Sequence, residues 1–307
     1  MNITSSPYVC PEIEKWITTQ EKEAKIYQQE WPDMNCQVYI WIPPMYASLH
    51  IKYLVDTLYR CTKWIRSLPP SDTSKNKKWT IMIWLTPFPL EWCEHQQQEI
   101  GPCQVNSGET HTQKESITIR IYRMESLLRT VIHELLHACG WDRLVLSSED
   151  HRYESENESL IEGCARILHC FWIAQNLDSP TTKAEDLIQG EFEYAWEKSQ
   201  MLRNSKWIPK THVVAYYLCS TAFVKHWSYF FKWVFLQPKD ESWPEIRDRL
   251  ILKTFGTIDM APSSFTKNKN NKKCESMAMV RYQIVWPKQS DIDDNVYAPL
   301  VEPVIIS

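Results

Sequence analysis

The segment from Ser126 to Cys139 repeats its apolar residues at helical spacing, and that repeat fixes where two histidines point. Wound at about 100° per residue, Leu127, Leu128, Val131, Ile132, Leu135, Ala138 and Cys139 gather on one side. Ser126, Arg129, Thr130, His133 and His137 gather on the other. A helix of this kind needs a core behind it and leaves a polar front, with Ser126 as its start signal and Gly140 as its stop. Residues 133–137 on that front read HELLH. Side chains four apart lie one above the other, so both imidazoles can offer nitrogens to a single ion at roughly 2.0–2.1 Å. Glu134 stands a third of a turn aside. From there it can reach a water on that metal as a general base. A surface helix with two solvated histidines is the plainer reading, but it does not account for an apolar back so complete.

Two histidines do not hold a catalytic zinc; such sites usually carry three protein ligands and leave a fourth position open. Directly downstream, HELLHACGWDR begins like a metzincin HExxHxxGxxH run but has Arg143 where the third histidine should be, and Asp142 falls one residue short. A better source is Ser155 to Leu177, which winds as a second helix. Glu158, Glu162, Ala165 and His169 share its front, while Leu160, Cys164, Ile167, Phe171 and Ala174 lie behind. The small Ala165 would let this helix approach the first. His151, in the acidic connection before it, and His169 are the remaining candidates.

Together, HELLH and the downstream Asn157, Glu158 and Glu162 resemble the gluzincin branch of zinc metallopeptidases, whose thermolysin-like members carry NExxxD after HExxH. The resemblance implies that His133, His137 and Glu158 hold one Zn2+ ion. It also implies that Glu162 orients a ligating histidine, as a glutamate in place of the family's aspartate. A competing alignment sets Glu162, Gly163 and Ala165 against the EGxA core of other gluzincins and makes Glu162 the ligand. In this family an edge strand ahead of the HExxH helix takes up substrate backbone as an extra strand, and Val105, Asn106 and Ser107 look like it. His212 and Tyr216, four apart on one face, are candidates for the group that hydrogen-bonds an oxyanion. Arg120, Arg123, Arg129 and Arg143 are candidates to clamp a substrate carboxylate. Residues 104–220 are also similar to uncharacterised metallopeptidase-like proteins of large DNA viruses.

The expected fold is α+β and zincin-like. Gln37–Ile42, Trp79–Leu85 and Ile117–Arg123 read as strands and Ala47–Leu68 as an amphipathic helix, giving a small mixed N-terminal sheet packed on the HExxH helix. A mainly helical half follows. The expected division is a domain over 1–262, with its sheet half at 1–123 and helical half at 124–262. A basic linker over 263–275 contains SSFTKNKNNKK, and a C-terminal strand and tail occupy 276–307, the strand at Met277–Trp286.

Thr211–Leu236 is long and apolar, but Lys225, His226 and Lys232 interrupt it, so a buried helix is expected and not a membrane span. A net charge of −4 argues against a general nucleic-acid binder, and the basic linker is better read as a solvated tether. Ten cysteines without paired spacing, and no signal-like N-terminus, read as reduced thiols of an intracellular protein. Four of the six glycines, Gly101, Gly108, Gly140 and Gly163, fall near the motif, where close backbone approach is expected.

The expected activity is zinc-dependent hydrolysis of a peptide or protein amide bond, with Glu134 as base. The alternative is a zinc-binding scaffold of the same fold that hydrolyses nothing.

Overall fold

Alternation along the N-terminal strands sends their side chains to two different cores. In a computed structural model, the described residues are 6, 9–68, 74, 76–92, 99–144, 154–176, 183–204, 208–209, 214–236, 242–255, 275–276, 282–285, 288 and 300–303. After helix α1 (Pro11–Gln20) come β1 (Lys25–Trp31), β2 (Cys36–Ile42), α2 (Ile51–Ser67) and β3 (Lys78–Trp84). Two-residue strands β4 (Glu91–Trp92) and β5 (Glu99–Ile100) and a single helical turn, α3 (Pro102–Val105), lead to β6 (Gly108–Thr112) and β7 (Ser116–Ile121).

The five long strands form one mixed sheet in the order β1-β2-β3-β7-β6. β2, β3 and β7 run parallel, and each outer strand is antiparallel to its neighbour. Val38, Ile40, Ile81, Ile83, Ile119 and Ile121 point to the face covered by α2 and α4. Trp41, Met82, Trp84 and Tyr122 point to the opposite face, which Ile13 and Ile17 of α1 cover. Three of the strands and α2 match the sequence reading within a few residues, although α2 starts at Ile51, after a 3-10 turn at Pro44–Tyr46. β1 and β6 were not expected. They are the two edges, and an edge strand with a polar outer side lacks the apolar alternation that reveals its central neighbours.

Helices supply most of the rest: α4 (Leu127–Cys139), α5 (Glu154–Asn176), α6 (Ala184–Asn204), α7 (Ser220–Lys225), α8 (Trp227–Leu236) and α9 (Trp243–Phe255). α4 is the helix predicted from the opening pattern. Leu135 and Leu136 are wholly buried in it, each worth about 1.5–3 kcal/mol of burial. Gly140 ends it in left-handed conformation, φ 82°, with its N–H on the His137 carbonyl. Ser126 departs from expectation: it too is left-handed, φ 56°, and its buried hydroxyl caps nothing. Gly163 does permit a close approach, but to Phe223 of α7, which a Cβ would meet at 2.7 Å.

The apolar segment 211–236 is not one helix. From Val214, its first described residue, it runs as a π-helix to Cys219, continues as α7, breaks at His226 and resumes as α8. No described helix is long and apolar enough to cross a membrane.

The cysteine reading needs one correction, because Cys10 and Cys103 are joined as a disulfide. It ties the start of α1 to α3. Six others, Cys36, Cys61, Cys139, Cys164, Cys170 and Cys219, are free and buried. The two-residue strand β8 (Ile208–Pro209) pairs with β5. The predicted linker lies outside the described residues up to 274, and Glu275 already pairs with Trp92 through a short strand, β9 (Glu275–Ser276). β10 (Tyr282–Val285) falls within the C-terminal strand expected at Met277–Trp286 and pairs with β11 (Leu300–Pro303).

Candidate metal centre

α4 lies with its apolar back on the sheet and α2, and its front faces α5 and strand β6. On that front the Nε2 atoms of His133 and His137 stand 3.1 Å apart. Glu158, in the early turns of α5, sets one carboxylate oxygen 3.3 Å from His133 Nε2 and the other 3.4 Å from His137 Nε2. A tetrahedral ion with bonds of about 2.0–2.1 Å has ligand atoms about 3.3 Å from one another. Each separation is therefore close to an edge of such a tetrahedron, with the two Glu158 oxygens straddling the pair of nitrogens. Two imidazoles and a carboxylate also form a donor set suited to zinc. Among the described residues one other group has metal-ligating geometry, Cys10, Glu12 and Cys103, but its sulfurs are bonded to each other.

The far side of each ring is held as well. His133 Nδ1 donates to Glu162 Oε2 at 3.1 Å, and His137 Nδ1 donates to Asp142 Oδ1 at 2.9 Å. Each carboxylate commits its histidine to the tautomer whose free lone pair, on Nε2, points into the cluster. Glu162 therefore sits behind His133, while Glu158 faces both rings. Asp142 has the same relation to His137, a role the sequence reading passed over because it tested that residue only as a ligand.

Electrostatics fit a cation. Burial pushes His133 down to about 4, so its ring is neutral, the form that ligates. For His137 burial acts in the same direction but is outweighed by the Asp142 and Glu158 carboxylates, which lift it well above its ordinary value. Glu158 is likewise opposed by its own burial, yet both imidazoles hold it well below the usual carboxylate range. Acids around two histidines thus favour positive charge at their centre.

Glu134 lies beside the cluster, and burial lifts it to about 7. Thr110 of β6 donates its hydroxyl to Glu134 Oε2 at 2.7 Å. Gly108, on the same strand, makes room for the carboxylate: a Cβ there would stand 3.0 Å from Oε1. All of this opens on a cavity of about 360 Å³ whose wall includes Gly108 to Thr112, the three candidate ligands and Glu134. The strand along the site is therefore β6. Val105 ends the α3 turn and Asn106 is extended on the cavity wall, so the expected strand at Val105, Asn106 and Ser107 is displaced toward Gly108.

Tyr216 projects from the π-helix, its ring 6.2 Å from that of His133 and its hydroxyl hydrogen-bonded to Glu158. π-Helical turns often mark functional sites. His212 and His151 lie outside the described residues, and His169 is buried beside Arg129, apart from the ligand group.

Three of the four candidate substrate arginines are otherwise engaged. Arg120 pairs with Glu109, and Arg123 is buried against the carbonyls of Phe88, Pro89, Cys103 and Asn106. Arg129 pairs with Glu162, and Arg143 is exposed on the 3-10 turn after α4. The chain matches no known protein family and no curated protein.

Proposed function

We propose that this chain is a zinc-dependent peptidase of zincin-like architecture, similar to the gluzincins, with His133, His137 and Glu158 as ligands and Glu134 as general base. The observation that carries this reading is the convergence of His133 Nε2, His137 Nε2 and the Glu158 carboxylate at 3.1, 3.3 and 3.4 Å beside a buried glutamate in an open cavity. A zinc ion held there supplies Lewis acidity toward a carbonyl oxygen and toward water. Glu134 takes a proton from the attacking water as its oxygen joins the carbonyl carbon. It gives that proton to the amine nitrogen as the C–N bond breaks.

Thr110 holds the Glu134 carboxylate toward the cavity. The outer edge of β6, which has no strand partner among the described residues, runs along the same wall and suits an extended peptide adding as a further antiparallel strand. Tyr216, which lines the same cavity, is the residue we assign to donate to the oxygen on which negative charge develops.

Zinc content and digestion of a peptide library, compared between the native chain and Glu134→Gln, test this. We expect equal zinc in both and cleavage by the native chain alone. Zinc-loaded native chain that cleaves nothing would favour the scaffold alternative, and E134Q with full activity would remove Glu134 from the mechanism.

A further inference from the structure

Behind His133, Glu162 is wholly buried, and so is the arginine that holds it. Arg166 stands four residues on along α5 and donates Nε to Glu162 Oε1 at 2.9 Å. Its Nη1 donates to Glu191 of α6 at 2.8 Å, and its Nη2 donates to the main-chain carbonyl of Tyr216 at 3.4 Å. Arg129 of α4 pairs with the other Glu162 oxygen, the one that also receives His133 Nδ1. Two arginines and two glutamates thus close a neutral buried group. One guanidinium spans the helix that carries Glu158, the neighbouring α6 and the π-helix that carries Tyr216.

We infer that Arg166 is a positioning residue for the metal centre, acting through Glu162 on His133 and through the carbonyl of Tyr216 on the opposite wall. The inference rests on the zinc reading proposed above. A buried carboxylate keeps its place only while it is paired. Loss of Arg166 leaves Glu162 with Arg129 alone and free to rotate from His133, and the ring loses the acceptor that fixes its orientation. Such partners behind a ligand are worth 10–100-fold in metal affinity. Lysine is not equivalent, because a point charge cannot fork to Glu162, Glu191 and a carbonyl together.

The test uses the full chain as native protein, Arg166→Gln and Arg166→Lys. Zinc dissociation constants come from competition with a chromophoric chelator, visible spectra from the Co2+-loaded proteins, and melting temperatures from the metal-free ones. R166Q should bind zinc about 10–100-fold more weakly with altered Co2+ bands, and R166K should recover part of the loss. Native zinc affinity in both variants, whatever their melting temperatures, would make Arg166 a packing residue and overturn the inference while leaving the proposed function intact. If R166Q does not fold, native affinity in R166K alone overturns it. A native chain that takes up no zinc would instead overturn the proposed function itself.

Discussion

Asp142 Oδ1 lies 2.9 Å from His137 Nδ1, two residues past the glycine that ends α4. The backbone reversal at Gly140 brings an acid from the 3-10 turn back under the second histidine of the motif. Both histidines consequently have a carboxylate behind them, one from the following turn and one from α5.

Asp142→Asn keeps the shape of this contact and removes its charge. Zinc affinity should fall about 10-fold, within the 10–100-fold span for such partners, with the fold retained by circular dichroism. Unchanged affinity in a chelator competition would mean that Asp142 does not orient His137.

Thr110→Val removes the hydroxyl on Glu134 at nearly constant volume. A hydrogen bond to a charged group is worth about 1.5–3 kcal/mol, so hydrolysis should drop roughly 10–100-fold while zinc content stays the same. Thr110→Ser should restore most of the rate. Equal rates in T110V and the native chain would show that Glu134 needs no such support.

His169 provides a pH dependence that does not involve the ligands. Its burial, with Arg129 nearby, pushes it down to about 3 from an ordinary 6.5. Between those values the unfolded chain binds a proton that the folded chain refuses, so stability falls as pH drops from about 6.5 toward 3. Urea midpoints across that range should decline less steeply in His169→Gln than in the native chain. Parallel slopes would contradict a neutral buried His169.

Elements whose burial is periodic and one-sided could be read from the chain itself. α4, α5, β2, β3 and β7 announce themselves because each sets an unbroken apolar row against a core. The pairing of HELLH with Glu158 and Glu162 was equally visible, since helical spacing alone puts each set on one face. β6 was not, because its outer residues are polar and its inner ones serve the cavity. Asp142 was hidden by a turn whose geometry depends on Gly140. Arg166 could not have been singled out, because its partners Glu191 and Tyr216 stand 25 and 50 residues further along and meet it only through packing.

The most direct measurement is anomalous diffraction at the zinc edge from crystals of the zinc-loaded chain. The account predicts one peak, about 2.0–2.2 Å from His133 Nε2, His137 Nε2 and a Glu158 oxygen, with Glu162 and Asp142 still behind the rings. A peak bonded to Glu162 in place of Glu158, or no peak between the two histidines, would contradict it.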